Sequence, residues 1–232
     1  MKKVYKIIVA LIIITVVALF TIKYEENIKD IENNIKYSYI NSKNKKNNNN
    51  YLKDNIENIK DIENYDLQSK YNVESNNFYD LSFNGLKDLF EKNSTFILYV
   101  GFPYCPWCEE LIPELVEVDK KYSYNIFVWD ISVEQAKSDK KYEDKLEELK
   151  KYIGDYYNIK NNDIKKIVVP KVFFIKNGII QYVHEYTTPN HNAKERKMTE
   201  EEKVKVRNSL NEGFKRITSD KNYNFKRNKI YE

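Results

Sequence analysis

The segment Phe102-Pro103-Tyr104-Cys105-Pro106-Trp107-Cys108 holds both cysteines of the chain, and it lies where an apolar strand gives way to an amphipathic helix. Upstream, Thr95-Phe96-Ile97-Leu98-Tyr99-Val100 is a β-branched and aromatic run suited to a buried strand. Downstream, Leu111, Leu115, Val118 and Tyr122 recur at helical spacing. The chain must therefore place a strand end, a tight turn and a helix start in immediate succession. Cys105 falls at the mouth of that helix and Cys108 in its first turn. Pro106 suits the first helical position, where a missing N–H is no loss.

This placement acts on sulfur. A cysteine attacks as the thiolate, and orphan N–H groups with the helix macrodipole favour negative charge at a helix N-terminus. The dipole contributes roughly 0.3 to 2 kcal/mol, which lowers a thiol pKa by about one unit. Cys105 is accordingly expected as the exposed nucleophile, with Cys108 as the partner buried one turn along. A disulfide between them is opened by an incoming thiolate, or given to a substrate, through a mixed disulfide. Zinc is the competing use of the spacing. It needs four ligands, and the chain supplies only His184 and His191 beyond the two cysteines. An inert staple closing so short a loop would restrict the unfolded chain little. Redox chemistry is the favoured reading, with no metal and no cofactor.

With these residues in view, the chain resembles the thioredoxin superfamily over residues 78 to 217. Leu81-Ser82-Phe83-Asn84-Gly85-Leu86 through Phe90 looks like the helix before the central strand, and Pro113 matches the proline within the active-site helix of many members. Val168-Val169-Pro170-Lys171-Val172-Phe173-Phe174-Ile175-Lys176-Asn177-Gly178 looks like the family's cis-proline loop, strand and hairpin turn. Asn177-Gly178 between two apolar runs is in its own right a hairpin signal. The resemblance implies an α/β fold of three layers around a central mixed sheet. It also implies a cis Val169–Pro170 bond beside the cysteines, with Val169, Pro170 and Trp107 contacting an extended substrate segment. An ordinary edge-strand proline is the other reading of Pro170.

Two positions depart from the family pattern. Tyr99 stands six residues before Cys105, where many thioredoxins carry a buried acid, and Ile126-Phe127-Val128-Trp129 lacks the accompanying lysine. Glu109 and Glu110 adjoin Cys108, but first-turn charge accounts for them better than proton transfer. The sequence thus assigns Cys108 no proton acceptor. Around the cysteines, Gly101 to Cys108 resembles the thioredoxin-like accessory proteins linked to bacteriocin production and disulfide formation in low-GC Gram-positive bacteria. Cys-Pro-aromatic-Cys is also similar to glutaredoxins and extracytoplasmic disulfide oxidases. Oxidase, isomerase and reductase are not separated.

Placement comes from the N-terminus. Ile7 to Ile22 is a run of 16 residues without charge, preceded by Lys2, Lys3 and Lys6 and followed by Glu25 and Glu26. Residues 4–22 approach the ~20 that span a bilayer, and the basic flank predicts an N-terminus inside and the rest outside. A retained anchor over 1–23 is favoured over a cleaved signal peptide, because a site at Val16-Val17-Ala18 would cut inside the apolar run. Cleavage would leave the protein secreted. An oxidising exterior also explains why only one cysteine pair is kept.

Residues 24–77 are rich in Asn, Lys, Ile and Glu, with Asn47 to Asn50 unbroken, and read as a spacer. Within it, Glu26 to Asn33 recurs as Glu57 to Asn64, which compositional drift explains better than a partner helix. The domain at 78–217 is large enough for one core. Tyr142, Leu146, Leu149 and Ile153 form a helical stripe, predicting an inserted helix that ends near Gly154 and precedes the Pro170 loop. Thr199 with Glu202 forms a capping box before Val206, Leu210, Phe214 and Ile217. His184 and His191 read as surface-loop residues. Residues 218–232 make a basic tail.

The chain carries 39 basic and 35 acidic residues for a net +4, intermixed along its length. That balance argues against a nucleic-acid partner, which would call for a segregated basic face. The expectation is a membrane-tethered extracytoplasmic thiol-disulfide oxidoreductase whose partners are protein or peptide thiols and disulfides. Its rivals are a non-catalytic adaptor with the same fold, and an electron relay or reductase for a small oxidant or another membrane redox protein. The number of subunits is not readable.

Overall fold

The computed structural model describes residues 62–132, 139–154 and 167–219. The expected anchor at 1–23, the first part of the spacer and the end of the tail lie outside the described residues. Among the described residues, no helix is long and apolar enough to cross a membrane.

The elements follow in the order β1 (Glu63–Asn64), α1 (Leu67–Tyr71), β2 (Phe78–Asp80), α2 (Phe83–Glu91), β3 (Phe96–Gly101), α3 (Pro106–Asp119), β4 (Ile126–Asp130), α4 (Asp139–Ile153), β5 (Lys171–Lys176), β6 (Ile179–Glu185) and α5 (Glu200–Thr218). The strands form one mixed six-stranded sheet in the order β1-β2-β4-β3-β5-β6. β2, β4 and β3 run parallel, whereas β5 is antiparallel to β3 and to β6. The architecture is α/β, with helices packed on both faces of the sheet.

β3 is central, and every one of its residues is buried. Because side chains alternate along a strand, β3 serves two cores. Phe96, Leu98 and Val100 join Phe127, Trp129, Phe173 and the apolar sides of α2 and α4. Ile97 and Tyr99 join Ile126, Val128, Val172, α3 and α5 on the opposite face. The predicted α4 stripe is buried at Tyr142, Leu146, Leu149 and Ile153, and Gly154 ends the helix at φ +53. Positive φ suits glycine, which lacks a Cβ.

Local signals read from sequence recur in the structure. The helix expected through Phe90 forms as α2, and Thr199 with Glu202 makes the full capping box of α5. Asn177 and Gly178 both take positive φ between β5 and β6, as a tight hairpin requires.

The expected spacer, by contrast, ends too late at residue 77. β1 pairs antiparallel with β2, and Tyr65 and Leu67 are 3% and 1% exposed. A segment too polar to form its own core needs only a few apolar side chains to dock on an existing one. Composition averaged over 24–77 conceals those few. The second copy of the repeat contributes Glu63 and Asn64 to a strand and not to a helix.

Candidate active site

β3 ends at Gly101, and Phe102 to Tyr104 turn the chain into α3. Tyr104 takes a left-handed φ of 71° and is 88% exposed, which leaves Cys105 turned inward. Cys105 is the N-cap of α3, with Pro106 beside it at the helix start. Cys108 lies in the first turn and is fully buried. Both cysteines are free thiols.

The expectation of an exposed nucleophile needs correction. Cys105 is only 5% exposed, so the turn presents Tyr104 to solvent and Cys105 hardly at all. Burial alone would raise a thiol pKa. Here it is outweighed, and Cys105 is pulled down to about 7. The largest cause is the Cys108 thiol donating to the Cys105 sulfur, followed by the N–H groups of Cys108 and Trp107 against desolvation and the charge of Glu109. The Cys105 thiol closes no cap of ordinary hydrogen-bond geometry. The amides therefore act chiefly on the thiolate, by pointing partial positive charge at it. Cys108 moves far in the opposite direction, through burial first and then its hydrogen bond to Cys105. One sulfur is thus prepared to ionise near neutrality, while its neighbour holds its proton.

Tyr99 occupies the position behind Cys108. Its ring is fully buried, and its hydroxyl lies against Cys108, where it favours the thiolate and so opposes the upward shift that burial causes. Gly101 makes this possible, because a Cβ there would lie 2.3 Å from the Tyr99 hydroxyl oxygen. Glu109 is exposed, whereas Glu110 is buried and accepts the Met198 amide at 2.9 Å while pairing with Lys197 at 2.7 Å. Glu110 is therefore committed to holding the entry to α5.

The Val169–Pro170 bond is cis. Lys171 pairs with Val100 in the β5–β3 ladder, so Pro170 follows at the level of Gly101, next to the turn that leads to Cys105. The Pro170 carbonyl accepts the Tyr186 amide at 3.0 Å, and among the described residues none makes a backbone hydrogen bond to Val169. Val169 and Trp107, separated by more than sixty positions in sequence, line one open cavity of about 420 Å³ with Val168, Tyr186, Thr188, Pro189 and His191. The indole N–H of Trp107 donates to the His191 carbonyl at 3.4 Å.

The two histidines are buried, contrary to the surface-loop expectation. His184 is held by Ser209 at 2.8 Å and the Tyr186 carbonyl at 3.0 Å, and burial lowers its pKa to about 4. His191 is held by Thr187 at 2.8 Å and the Arg196 carbonyl at 2.9 Å. Both rings thus tie loop segments to the body, as buried polar groups do when every ring nitrogen finds a partner. Among the described residues, no cluster of three or more His, Cys, Asp or Glu could hold a metal ion.

Comparison with protein-family models and with curated proteins returned no match. Sequence reasoning missed Tyr104 as the exposed element of the turn. It also missed Tyr71, whose hydroxyl lies 3.4 Å from that of Tyr99, and the Tyr65–Asp130 hydrogen bond at 2.9 Å, all drawn from separate parts of the chain. The only local signal for Tyr104 was its place between Pro103 and the first cysteine. Nothing local marked the others.

Proposed function

We propose that this chain is a thioredoxin-superfamily thiol-disulfide oxidoreductase that exchanges disulfides with peptides or proteins. The observation that carries the reading is the divided pair: Cys105 at the N-cap of α3, where its pKa is lowered, and Cys108 fully buried in the first turn, where burial favours the protonated thiol. The cis Val169–Pro170 bond and the cavity shared by Val169 and Trp107 support an extended substrate segment lying alongside. Its main-chain groups would pair with those of Val169, and one side chain would enter the cavity.

In the reducing direction, the Cys105 thiolate attacks a substrate disulfide. A Cys105–substrate S–S bond forms, and the other substrate sulfur leaves as a thiolate with the bonding electron pair. Cys108 then loses its proton and attacks Cys105. The Cys105–Cys108 bond forms, the second substrate thiolate leaves, and two electrons have passed from the cysteine pair to the substrate. Run backwards, the same steps give a disulfide to a dithiol. The N-terminal apolar run and its basic flank support an extracytoplasmic, membrane-tethered domain acting on secreted or surface partners.

The test is covalent capture. Full-length chain carrying Cys108→Ser, expressed in cells, is expected to accumulate partners disulfide-linked to Cys105, and these should vanish when Cys105 is also replaced. No adduct under any redox condition would favour the adaptor. Direction is read from the resting state of the wild-type pair after acid quenching, where a mostly reduced pair counts against a net oxidase. Alkylation of Cys105 should show a midpoint near pH 7.

A further inference from the structure

Cys108 must lose a proton to resolve a mixed disulfide, yet it is fully buried and its thiol is strongly disposed to stay protonated. A row of phenols leads away from it. The Cys108 thiol meets the Tyr99 hydroxyl, and the Tyr99 hydroxyl lies 3.4 Å from that of Tyr71. Tyr71 in turn meets Tyr65. The Tyr65 hydroxyl donates to Asp130 Oδ2 at 2.9 Å. At the far end, Lys70 approaches the same carboxylate at 3.9 Å, with its own side chain 35% exposed against 4% for Asp130.

Asp130 lets the row take one polarity throughout. An ionised carboxylate only accepts, so the single hydroxyl proton of Tyr65 is directed at Asp130. The Tyr65 oxygen is then free to accept from Tyr71, the Tyr71 oxygen from Tyr99, and the Tyr99 oxygen from the Cys108 thiol. Ser132 donates its amide and hydroxyl to Asp130 Oδ1 at 3.0 and 2.6 Å, which fixes the carboxylate with Oδ2 toward Tyr65. Burial disfavours phenolate at all three tyrosines. The row is thus suited to passing a proton from one neutral hydroxyl to the next without ever holding a phenolate.

We propose that Tyr99, Tyr71 and Tyr65 form a hydroxyl relay that carries the Cys108 proton to Asp130, which releases it to solvent beside Lys70. The relay rests on the disulfide-exchange reading and supplies its missing proton acceptor. As Cys108 attacks Cys105, its S–H proton passes to the Tyr99 oxygen, and each hydroxyl gives its own proton to the next. Asp130 ends as the carboxylic acid, the Cys105–Cys108 bond has formed, and the substrate thiolate has left with the electron pair. Tyr99 touches the reacting thiol; Tyr71, Tyr65 and Asp130 act through it and are positioning residues.

The test uses the full-length reduced chain and an aromatic disulfide that releases a coloured thiolate. The first equivalent released reports attack by Cys105, and the second reports resolution by Cys108. In Tyr71→Phe, Tyr65→Phe and Asp130→Asn, the first phase should be unchanged and the second slowed by ~100-fold, the lower end for a lost proton-transfer group. Tyr65→Phe combined with Tyr71→Phe should be no slower than the slower single variant, because serial links fail once. The wild-type second phase should vary little between about pH 6 and 8, whereas the variants should accelerate as hydroxide replaces the relay. The charged or titrating groups around the row are Lys70 on α1, Asp80 on β2 with Glu63 beside it, and Cys105 and Glu109 at the start of α3. Cys105 is in disulfide linkage during the second phase and does not titrate.

A wild-type second phase matched by Tyr71→Phe overturns the relay alone. Equal slowing of both phases, or losses that multiply in the double variant, also overturns it. A wild-type chain that releases only the first equivalent overturns the exchange reading and the relay with it.

Discussion

The two faces of β3 are built from adjacent residues of one strand and do different work. Toward α2 and α4, Phe96, Leu98 and Val100 enter a closely packed aromatic and aliphatic core, in which Phe83 and Trp129 sit 5.8 Å apart and Phe90 and Phe96 meet edge-on at 5.1 Å. Toward α1 and α3, Tyr99 enters a core that also carries Cys108, Tyr71, Tyr65 and Asp130. Polar atoms in a core are costly unless bonded, at roughly 1 to 3 kcal/mol for each orphan, and here each finds a neighbour. One face can be organised for stability alone because the other concentrates the chemistry.

Leu98→Ala is the strongest probe of that division. Leu98 is fully buried in the apolar face, so truncation should cost roughly 2 to 5 kcal/mol in denaturant unfolding. The Cys105 alkylation midpoint and the ratio of the two release phases should stay at wild-type values. A shift in either would mean that the faces are coupled through β3.

Asp119, at the end of α3, tests the polar face by pH. It is buried, accepts Asn77 at 2.7 Å and the Tyr124 amide at 2.9 Å, and burial raises its pKa from 3.8 to about 6. The folded protein then holds a proton that the unfolded chain has released. The resulting stability is full below about pH 4 and is lost as pH rises through 6, up to roughly 3 kcal/mol. Asp119→Asn should lose less stability than wild type between those limits in paired urea titrations.

Gly101→Ala should have the smallest effect on folding and the most local one. The added methyl would sit 2.3 Å from the Tyr99 hydroxyl oxygen, so the ring must shift, at a cost of roughly 1 to 3 kcal/mol. Resolution by Cys108 should slow while attack by Cys105 does not. Unchanged resolution would mean that the hydroxyl's position against Cys108 is immaterial.

Signals carried by short stretches were legible in the sequence. The strand-to-helix junction at Cys105, the Thr199–Glu202 box, the Asn177-Gly178 hairpin and the α4 stripe each depend on neighbours within a turn or a strand, and all appear as read. Val169–Pro170 was legible only because a resemblance supplied its setting. Three readings failed together: the exposure of Cys105, the surface position of the histidines and the end of the spacer. Burial is set by what packs on top of a residue, and the segments involved are distant in sequence.

The sequence by itself determined which sulfur stands at a helix start, since Pro106 and the flanking apolar patterns leave Cys105 no other place. Only the tertiary structure decided what surrounds that sulfur and its partner. Residues 65, 71, 99 and 130 come from a loop, a short helix and two strands, and no local pattern relates them. Sheet order and side-chain alternation bring their polar atoms onto one face, where Tyr71 meets Tyr99 at 3.4 Å and Tyr65 donates to Asp130 at 2.9 Å although the sequence keeps all four apart.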